Sequence, residues 1–178
     1  VPDIDFIGNL NMKNGERAEY VRKQLHMRDA YDYFQAGVLV LNTKAMREHY
    51  TIEQWLTYAS NPDFIYNDQD VLNAHCEGNV LYLPWEWNVG HVGNLFVQAP
   101  NDIYDAYMKS RNDPQIVHYA GFQKPWTDPD CDFASMYWKY ARETPFYERL
   151  LKRVVKANES EIPAGVLRPK HERAVGED

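Results

Sequence analysis

The amino-acid sequence predicts an α/β protein in which a mixed sheet is flanked by helices. Two observations lead to this prediction. Short apolar runs typical of strands alternate along the chain with segments whose apolar residues recur at helical spacing. The 178 residues are 44% hydrophobic and 25% charged, which is ordinary for a globular domain with one sizeable core.

The strand predictions rest on three apolar segments. Residues 34–42 (FQAGVLVLN) are apolar at both alternating positions, which indicates a strand buried on both faces of a sheet. Residues 80–83 and 115–120 are shorter runs that precede turn-forming or aromatic residues. Each segment is therefore expected to pair with neighbours inside the sheet.

The helix predictions rest on apolar spacing and on capping signals. The clearest start is Thr51, because Thr-x-x-Gln has the form of a capping box. Asp68 and Asn101 are the expected caps of two later helices. The predicted helices cover residues 17–25, 44–49, 52–59, 68–75, 101–107, 133–140 and 146–158.

Composition excludes several classes of protein. The net charge of −7 argues against nucleic acid as the main partner, because phosphate binding needs a basic surface. The two cysteines, Cys76 and Cys131, form neither a disulfide framework nor a metal-binding spacing. No apolar run is long enough to cross a bilayer, and no export signal opens the sequence. We therefore expect a cytoplasmic location.

The strongest candidate for chemistry is the segment HYAGFQKPW, which follows the predicted strand 115–120. Ligands of α/β proteins usually bind where strands end. His118 offers an imidazole to a divalent metal, Gly121 lets the backbone approach a diphosphate, and Lys124 offers a positive charge to phosphate oxygens. Taken singly, each also has a plain alternative as a strand histidine, a turn glycine or a surface lysine.

Two further segments are candidates for sugar binding. Asp68 and Gln69 open a predicted helix, where an acidic residue can simply stabilise the helix N-terminus. Their functional interpretation is that both side chains hydrogen-bond sugar hydroxyls. Gln35, Ala36 and Gly37 precede the apolar run, where small residues either permit close packing or leave room for a sugar ring.

The order AGVLVLN, DQDVLN, YLPWEWN and HYAGFQKPW resembles family 8 glycosyltransferases, a group that includes bacterial lipopolysaccharide galactosyl- and glucosyltransferases and glycogenin. The resemblance covers residues 1–147, and its most specific part is the HxxGxxKPW form. It implies a partial GT-A (nucleotide-diphospho-sugar transferase) fold. Residues 1–178 would then be the C-terminal portion of a single catalytic domain, with 146–178 as a C-terminal helix and polar tail.

The resemblance also implies retaining transfer of a hexose from a UDP-sugar to a saccharide or lipid-linked acceptor. Mn²⁺, or another divalent metal, would bridge the diphosphate. Gln69 would lie beside the reacting anomeric centre, and Asp68 would hold the transferred sugar. The remaining implied roles are metal binding by His118, diphosphate binding by Gly121 and Lys124, and donor-sugar or acceptor binding by Asp3, Gln35, Ala36 and Gly37.

Two departures from the family pattern limit these expectations. Gln35 stands where asparagine is usual, which puts its sugar contact in doubt. The metal-binding Asp-x-Asp is missing, because Asp3-Ile4-Asp5 lacks a preceding apolar strand. We therefore expect the chain to begin inside the domain, to be inactive alone, and to be completed by self-association, strand exchange or a missing N-terminal segment.

Two alternatives stay open at the level of sequence. A non-catalytic carbohydrate-binding or assembly module would use Trp85, Trp87 and Trp126 as a stacking platform. Separately, the last helix places basic residues opposite Leu150, Leu151, Val154 and Val155, the pattern of helices that lie on membrane surfaces. An ordinary packed helix has the same pattern. The membrane interpretation predicts peripheral contact with the inner face of the membrane.

Overall fold

A computed structural model describes residues 1–11, 15–90, 99–121 and 123–160. The chain divides into two compact units, Val1–Ala120 and Gly121–Asp178. The α-helices of the first unit are α1 (Ile4–Ile7), α2 (Glu16–Lys23), α3 (Thr43–His49), α4 (Ile52–Ala59), α5 (Asp68–Cys76) and α6 (Asn101–Ser110). Short 3₁₀ turns lie at Ala30–Asp32 and Trp85–Asn88. The second unit contains α7 (Ala134–Ala141) and α8 (Tyr147–Ser160).

The predicted helices are present, and the capping box is confirmed in detail. The backbone N–H of Gln54 donates to Thr51 Oγ1 over 3.2 Å, and the Thr51 N–H donates to Gln54 Oε1 over 2.8 Å. The predicted caps at Asp68 and Asn101 are wrong by one residue. Both residues are already helical, and the cap positions are held by Asn67 and Pro100, neither of which makes a side-chain cap.

The predicted sheet is not confirmed. Residues 36–42, 80–83 and 118–120 form no strand, and the described residues contain only two isolated β-bridges, Pro2 with Phe34 and Val89 with Val117. Val40 is 91% exposed and Leu81 is 90% exposed. The physical reason is that a strand needs a neighbour to satisfy its backbone groups, and the described segments offer these runs none.

The core of the first unit includes the apolar side chains of the N-terminal residues. Phe6 stacks on Tyr33 with ring centroids 3.9 Å apart. Val1 and Asp3 exchange backbone hydrogen bonds with Gln35 and Tyr33, which draws the N-terminal residues alongside segment 33–35. The buried residues of this core are Ile4, Phe6, Ile7, Leu10, Val21, Leu25, Met27, Tyr33, Ala99 and Tyr107. Segment 33–35 is thereby fixed from one side by the core.

The second unit is organised around aromatic side chains. Trp126 contacts Tyr137 of α7, with ring centroids 5.2 Å apart. The apolar side of α8 is partly open, because Leu151 is 39% and Val155 57% exposed. In the part of the chain that the structure describes, none of the helices has the length and apolar character needed to cross a bilayer. The polar tail predicted at the end of 146–178 lies outside the described residues.

Candidate functional site

Gln69 is the centre of the candidate site. It lies in the first turn of α5. Its side-chain amide makes three hydrogen bonds, each to a predicted site residue or to a neighbour of one. Its Oε1 accepts from the backbone N–H of Ala36 over 2.9 Å. Its Nε2 donates to Asp3 Oδ2 over 2.9 Å and to the Tyr33 hydroxyl over 3.1 Å. The orientation of this amide is therefore fixed.

Asp3 joins helix α1 to helix α5. Its Oδ1 accepts from the backbone N–H of Phe6 over 3.0 Å and so caps α1, while its Oδ2 accepts from Gln69. Burial raises the pKa of Asp3 above its ordinary value, and these two hydrogen bonds oppose that rise. A half-buried carboxyl group thus lies in contact with the candidate catalytic amide.

Asp70 is a site residue that the sequence did not reveal. It is fully buried, and its two oxygens accept hydrogen bonds from the hydroxyls of Tyr20 and Tyr33 and from the backbone N–H groups of Ile65 and Tyr66. Burial, followed by the hydrogen bond to Asp70, raises the pKa of Tyr33, which keeps that hydroxyl protonated. Asp70 therefore positions Tyr33, and Tyr33 in turn contacts Gln69.

Asn73 fixes the neighbouring backbone from one turn further along α5. Its Oδ1 accepts from the Phe34 N–H over 2.8 Å, and its Nδ2 donates to the carbonyls of Phe34 and Gln69. The sequence carried a signal for this residue, because position 73 lies four residues after Gln69 and therefore on the same helix face. Buried amides with full hydrogen bonding specify one arrangement of the chain.

His118 lies at the Val89–Val117 bridge. Its N–H donates to the Val89 carbonyl over 2.8 Å, and its Nδ1 lies 3.0 Å from Asn88 Oδ1. Asn88 also contacts Gln35, with 3.2 Å between Nδ2 and Oε1. The Gly37 N–H donates to the same Gln35 oxygen. The backbone N–H of Ala36, the residue after Gln35, reaches Gln69, so adjoining hydrogen bonds connect His118 with Asp3.

Position 37 requires glycine because the His118 ring packs closely against its backbone. A Cβ atom at this position would lie 2.0 Å from His118 Cε1 and 2.8 Å from His118 Nδ1. No side chain fits there unless the imidazole moves. The structure therefore gathers six of the predicted residues into one neighbourhood: Asp3, Gln35, Ala36, Gly37, Gln69 and His118.

The other three predicted residues are Asp68, Gly121 and Lys124. Asp68 is exposed and makes no hydrogen bond or ion pair within the described ranges. Gly121 and Lys124 belong to the second unit. Gly121 adopts a φ of +75°, which favours glycine, and Lys124 Nζ lies 5.9 Å from the centroid of the Trp126 ring. Their predicted contacts with a diphosphate stay predictions.

The described residues do not fit a divalent metal by themselves. Among them, no group of three or more histidine, cysteine, aspartate or glutamate side chains lies close enough to hold an ion. Beside His118 Nδ1 the structure places the amides of Asn88 and Gln35, whereas a hard ion such as Mn²⁺ prefers carboxylate oxygens. His118 can therefore supply at most one ligand of a site.

The predicted tryptophan platform is only partly available. Trp85 packs edge-on against the buried Tyr107, with ring centroids 5.5 Å apart, so it supports the core. Trp87 is 42% exposed and offers a surface for stacking. Trp126 belongs to the second unit, where it packs against Tyr137.

Comparisons with known proteins place this chain among glycosyltransferases. The family model described as glycosyl transferase family 8 matches residues 12–130. General stress protein A of Bacillus subtilis is 28% identical over 115 residues, covering 58% of this chain and 38% of that protein. Lipopolysaccharide 1,2-glucosyltransferase of Escherichia coli K12 is 29% identical over 114 residues, covering 62% of this chain and 33% of that enzyme. The chain thus spans little more than a third of these relatives.

A solved structure shares the fold. The apo structure of the WbbM bifunctional glycosyltransferase matches with a TM-score of 0.80 and 30% sequence identity, covering 87% of this chain and 29% of that one. At this similarity the fold described above is that of the corresponding part of a glycosyltransferase.

Proposed function

Since this chain belongs to glycosyl transferase family 8, we propose that the full-length protein transfers a hexose from a UDP-sugar to a saccharide or glycolipid acceptor with retention of configuration, on a GT-A fold. The observation that carries the proposal is the set of hydrogen bonds from His118 through Asn88 and Gln35, and from Ala36 through Gln69 to Asp3. It connects most of the residues that the family resemblance assigns to the sugar and the metal, with Asp68 outside the set.

Gln69 is the proposed partner of the reacting sugar. Positive charge develops at the anomeric carbon as the leaving group departs, and a fixed carbonyl dipole stabilises such charge. Gln69 Oε1 uses one lone pair on the Ala36 N–H, and a carbonyl oxygen has two. The side chain is held by Asp3, Tyr33 and Ala36, so no reorganisation is needed when the charge appears.

Asp3 and the segment 35–37 are the proposed walls of the sugar site. The Gln35 amide nitrogen makes no hydrogen bond within the described ranges and is available to a sugar hydroxyl. Asp68 is the further proposed sugar ligand, and Gly121 and Lys124 are the proposed diphosphate ligands. A positive charge at the diphosphate would lower the barrier to its departure.

Mn²⁺ is proposed as the cofactor of the full-length protein, with His118 as one ligand. A bound divalent ion would neutralise charge on the leaving diphosphate. Because the described residues supply only one imidazole, the oxygen ligands must come from the donor and from other parts of the full-length protein.

The relatives support a substrate class for this proposal. Lipopolysaccharide 1,2-glucosyltransferase is among them, so we propose a role in assembling a lipopolysaccharide-type glycan in the cytoplasm. The partly exposed apolar side of α8 supports peripheral contact with the inner face of the membrane, beside a lipid-linked acceptor.

The test is a transfer assay with the full-length protein. UDP-glucose and UDP-galactose are supplied separately with Mn²⁺ and lipopolysaccharide-core acceptors, and the labelled product and released UDP are measured. We expect transfer that His118→Ala abolishes, while Glu53→Gln on the exposed side of α4 leaves the rate unchanged.

Two outcomes would contradict the proposal. Glycan binding by the full-length protein without any transfer would favour the carbohydrate-binding module. Robust transfer by the isolated 178 residues would show that the other ligands are not needed.

A further inference from the structure

One backbone N–H group determines which atom donates and which accepts in each hydrogen bond leading to His118. The Gly37 N–H can only donate, and it donates to Gln35 Oε1. The Gln35 atom that faces Asn88 is therefore an oxygen. The opposite orientation of the Gln35 amide would place a nitrogen against the Gly37 N–H, so that two donors would face each other.

The same logic fixes Asn88. Since Gln35 presents an oxygen, the Asn88 atom 3.2 Å away must be the donating nitrogen. The other end of the Asn88 amide is then its oxygen, which lies 3.0 Å from His118 Nδ1. An oxygen can only accept, so His118 Nδ1 must carry a hydrogen.

We propose that Asn88, anchored by Gln35, is a positioning residue that holds neutral His118 as the Nδ1–H tautomer and leaves the lone pair on Nε2. The side chain of free neutral histidine favours the opposite tautomer, with the hydrogen on Nε2. The contacts from Gln35 through Asn88 to His118, called the relay below, therefore reverse an intrinsic preference. Metal-bound histidines commonly donate their other ring N–H to an oxygen, which fixes both tautomer and ring direction.

Gly37 completes this arrangement. The His118 ring occupies the space of the missing side chain, 2.0 Å from the Cβ position to Cε1. The ring is thus fixed by contact at one side and by a hydrogen bond at Nδ1. The use of the Nε2 lone pair as a metal ligand rests on the proposed function, whereas the tautomer assignment does not.

The experiment reads the tautomer directly in the full-length protein. Histidine is labelled with ¹⁵N, the His118 signals are assigned by comparison with His118→Gln, and the two ring nitrogens are observed at a pH where the ring is neutral. We expect a protonated Nδ1 and an unprotonated Nε2 in the wild type. A protonated Nε2 in the wild type would overturn the proposal.

Three variants separate the relay from general structural effects. Asn88→Leu removes both contacts, and Gln35→Met removes only the anchor, so each should shift the His118 population toward Nε2–H. Gln35→Glu keeps an oxygen that accepts from both Gly37 and Asn88, and it should retain the wild-type tautomer. Unchanged ring signals in both Asn88→Leu and Gln35→Met would refute the relay. If Asn88→Leu does not fold, the test compares the His118 tautomer in Gln35→Met, where a shift is expected, with that in Gln35→Glu, where none is expected.

Titration with Mn²⁺ alone distinguishes this proposal from the proposed function. Loss of a group that orients a metal-bound histidine typically weakens metal binding by about 10- to 100-fold. We expect that loss in Asn88→Leu, read from paramagnetic broadening of the His118 signals. The wild-type tautomer without any Mn²⁺ broadening would uphold the relay and contradict the metal role of His118.

Discussion

At the scale of single residues, His118 and Gly37 form a matched pair. The glycine leaves a space, and the imidazole fills it. Gly15 provides a contrast, because its φ is +81° and a Cβ atom there would meet nothing within 4 Å. One glycine is needed for its missing side chain, and the other for its backbone conformation.

The corresponding prediction is that Gly37→Ala displaces His118 and lowers the transfer rate of the full-length protein about 100-fold, because small misplacements in an active site carry costs of that order. Gly15→Ala is the control. It should lose about 1–2 kcal/mol of stability from its left-handed backbone and keep the transfer rate. Transfer assays and urea unfolding of both variants provide the measurement, and a fully active Gly37→Ala would contradict the assignment.

Sequence reasoning found some site residues and missed others for a physical reason. Gln69 and His118 belong to short sequence motifs, DQDVLN and HxxGxxKPW, that can be recognised from the order of their residues. Asp70 and Asn88 act through partners far along the chain, such as Tyr33 and Gln35. The spacing of nearby residues cannot predict such pairs, because tertiary folding brings these distant segments together.

At the scale of elements, helix starts were predictable and strands were not. The capping box at Thr51 is a local interaction between residues three apart, so it can be read from sequence. A strand depends on a neighbour that the sequence segment does not contain. The apolar run 34–42 therefore has strand character in sequence, whereas in the fold only Phe34 takes part in a β-bridge.

The junction of α1 and α5 at Asp3 gives a pH-dependent prediction. Because burial raises the pKa of Asp3, the folded chain binds that proton more tightly than the unfolded chain, whose aspartates titrate near about 3.9. The contribution of Asp3 to stability is thus fully present below about pH 4 and is lost as the pH rises through the raised value.

Asp3→Asn removes this titration, so the stability of the wild type minus that of the variant should fall as pH rises through that window. Urea unfolding from pH 3.5 to 7 measures the difference, with Asp63→Asn, at an exposed position, as the matched substitution. A difference that grows with pH would contradict the assignment. Asp3→Asn also sets two amide nitrogens face to face at Gln69, at a cost of about 1–3 kcal/mol.

At the scale of the whole molecule, the family and the glycosyltransferase fold were predicted correctly from the order of motifs. The described residues contain two isolated bridges in place of the expected mixed sheet, and several apolar residues predicted for that sheet are exposed. Val40, Leu41 and Leu81 are 91%, 50% and 90% exposed. Exposed apolar segments with unpaired backbone groups recruit other chains.

We therefore predict that the isolated chain self-associates and that Val40→Lys with Leu41→Lys reduces its mass toward the monomer, because the charges oppose apolar association. Light scattering across a range of protein concentrations measures this. Met136→Lys, at a partly exposed position of α7, is the matched control and should leave association unchanged. A wild type that stays monomeric at every concentration would show that no completing partner is required.

The bridge between Val89 and Val117 has a consequence for hydrogen–deuterium exchange. The amides of Val89 and His118 are the two donors across this bridge, toward the carbonyls of Ile116 and Val89. Because the side chains of Asn88 and His118 meet only while the bridge is closed, exchange at these two amides reports how often the imidazole loses its orientation. The backbone amide protons of Val89 and His118 take no part in the reaction, and their exchange rates thus measure how long the site stays in its ordered state.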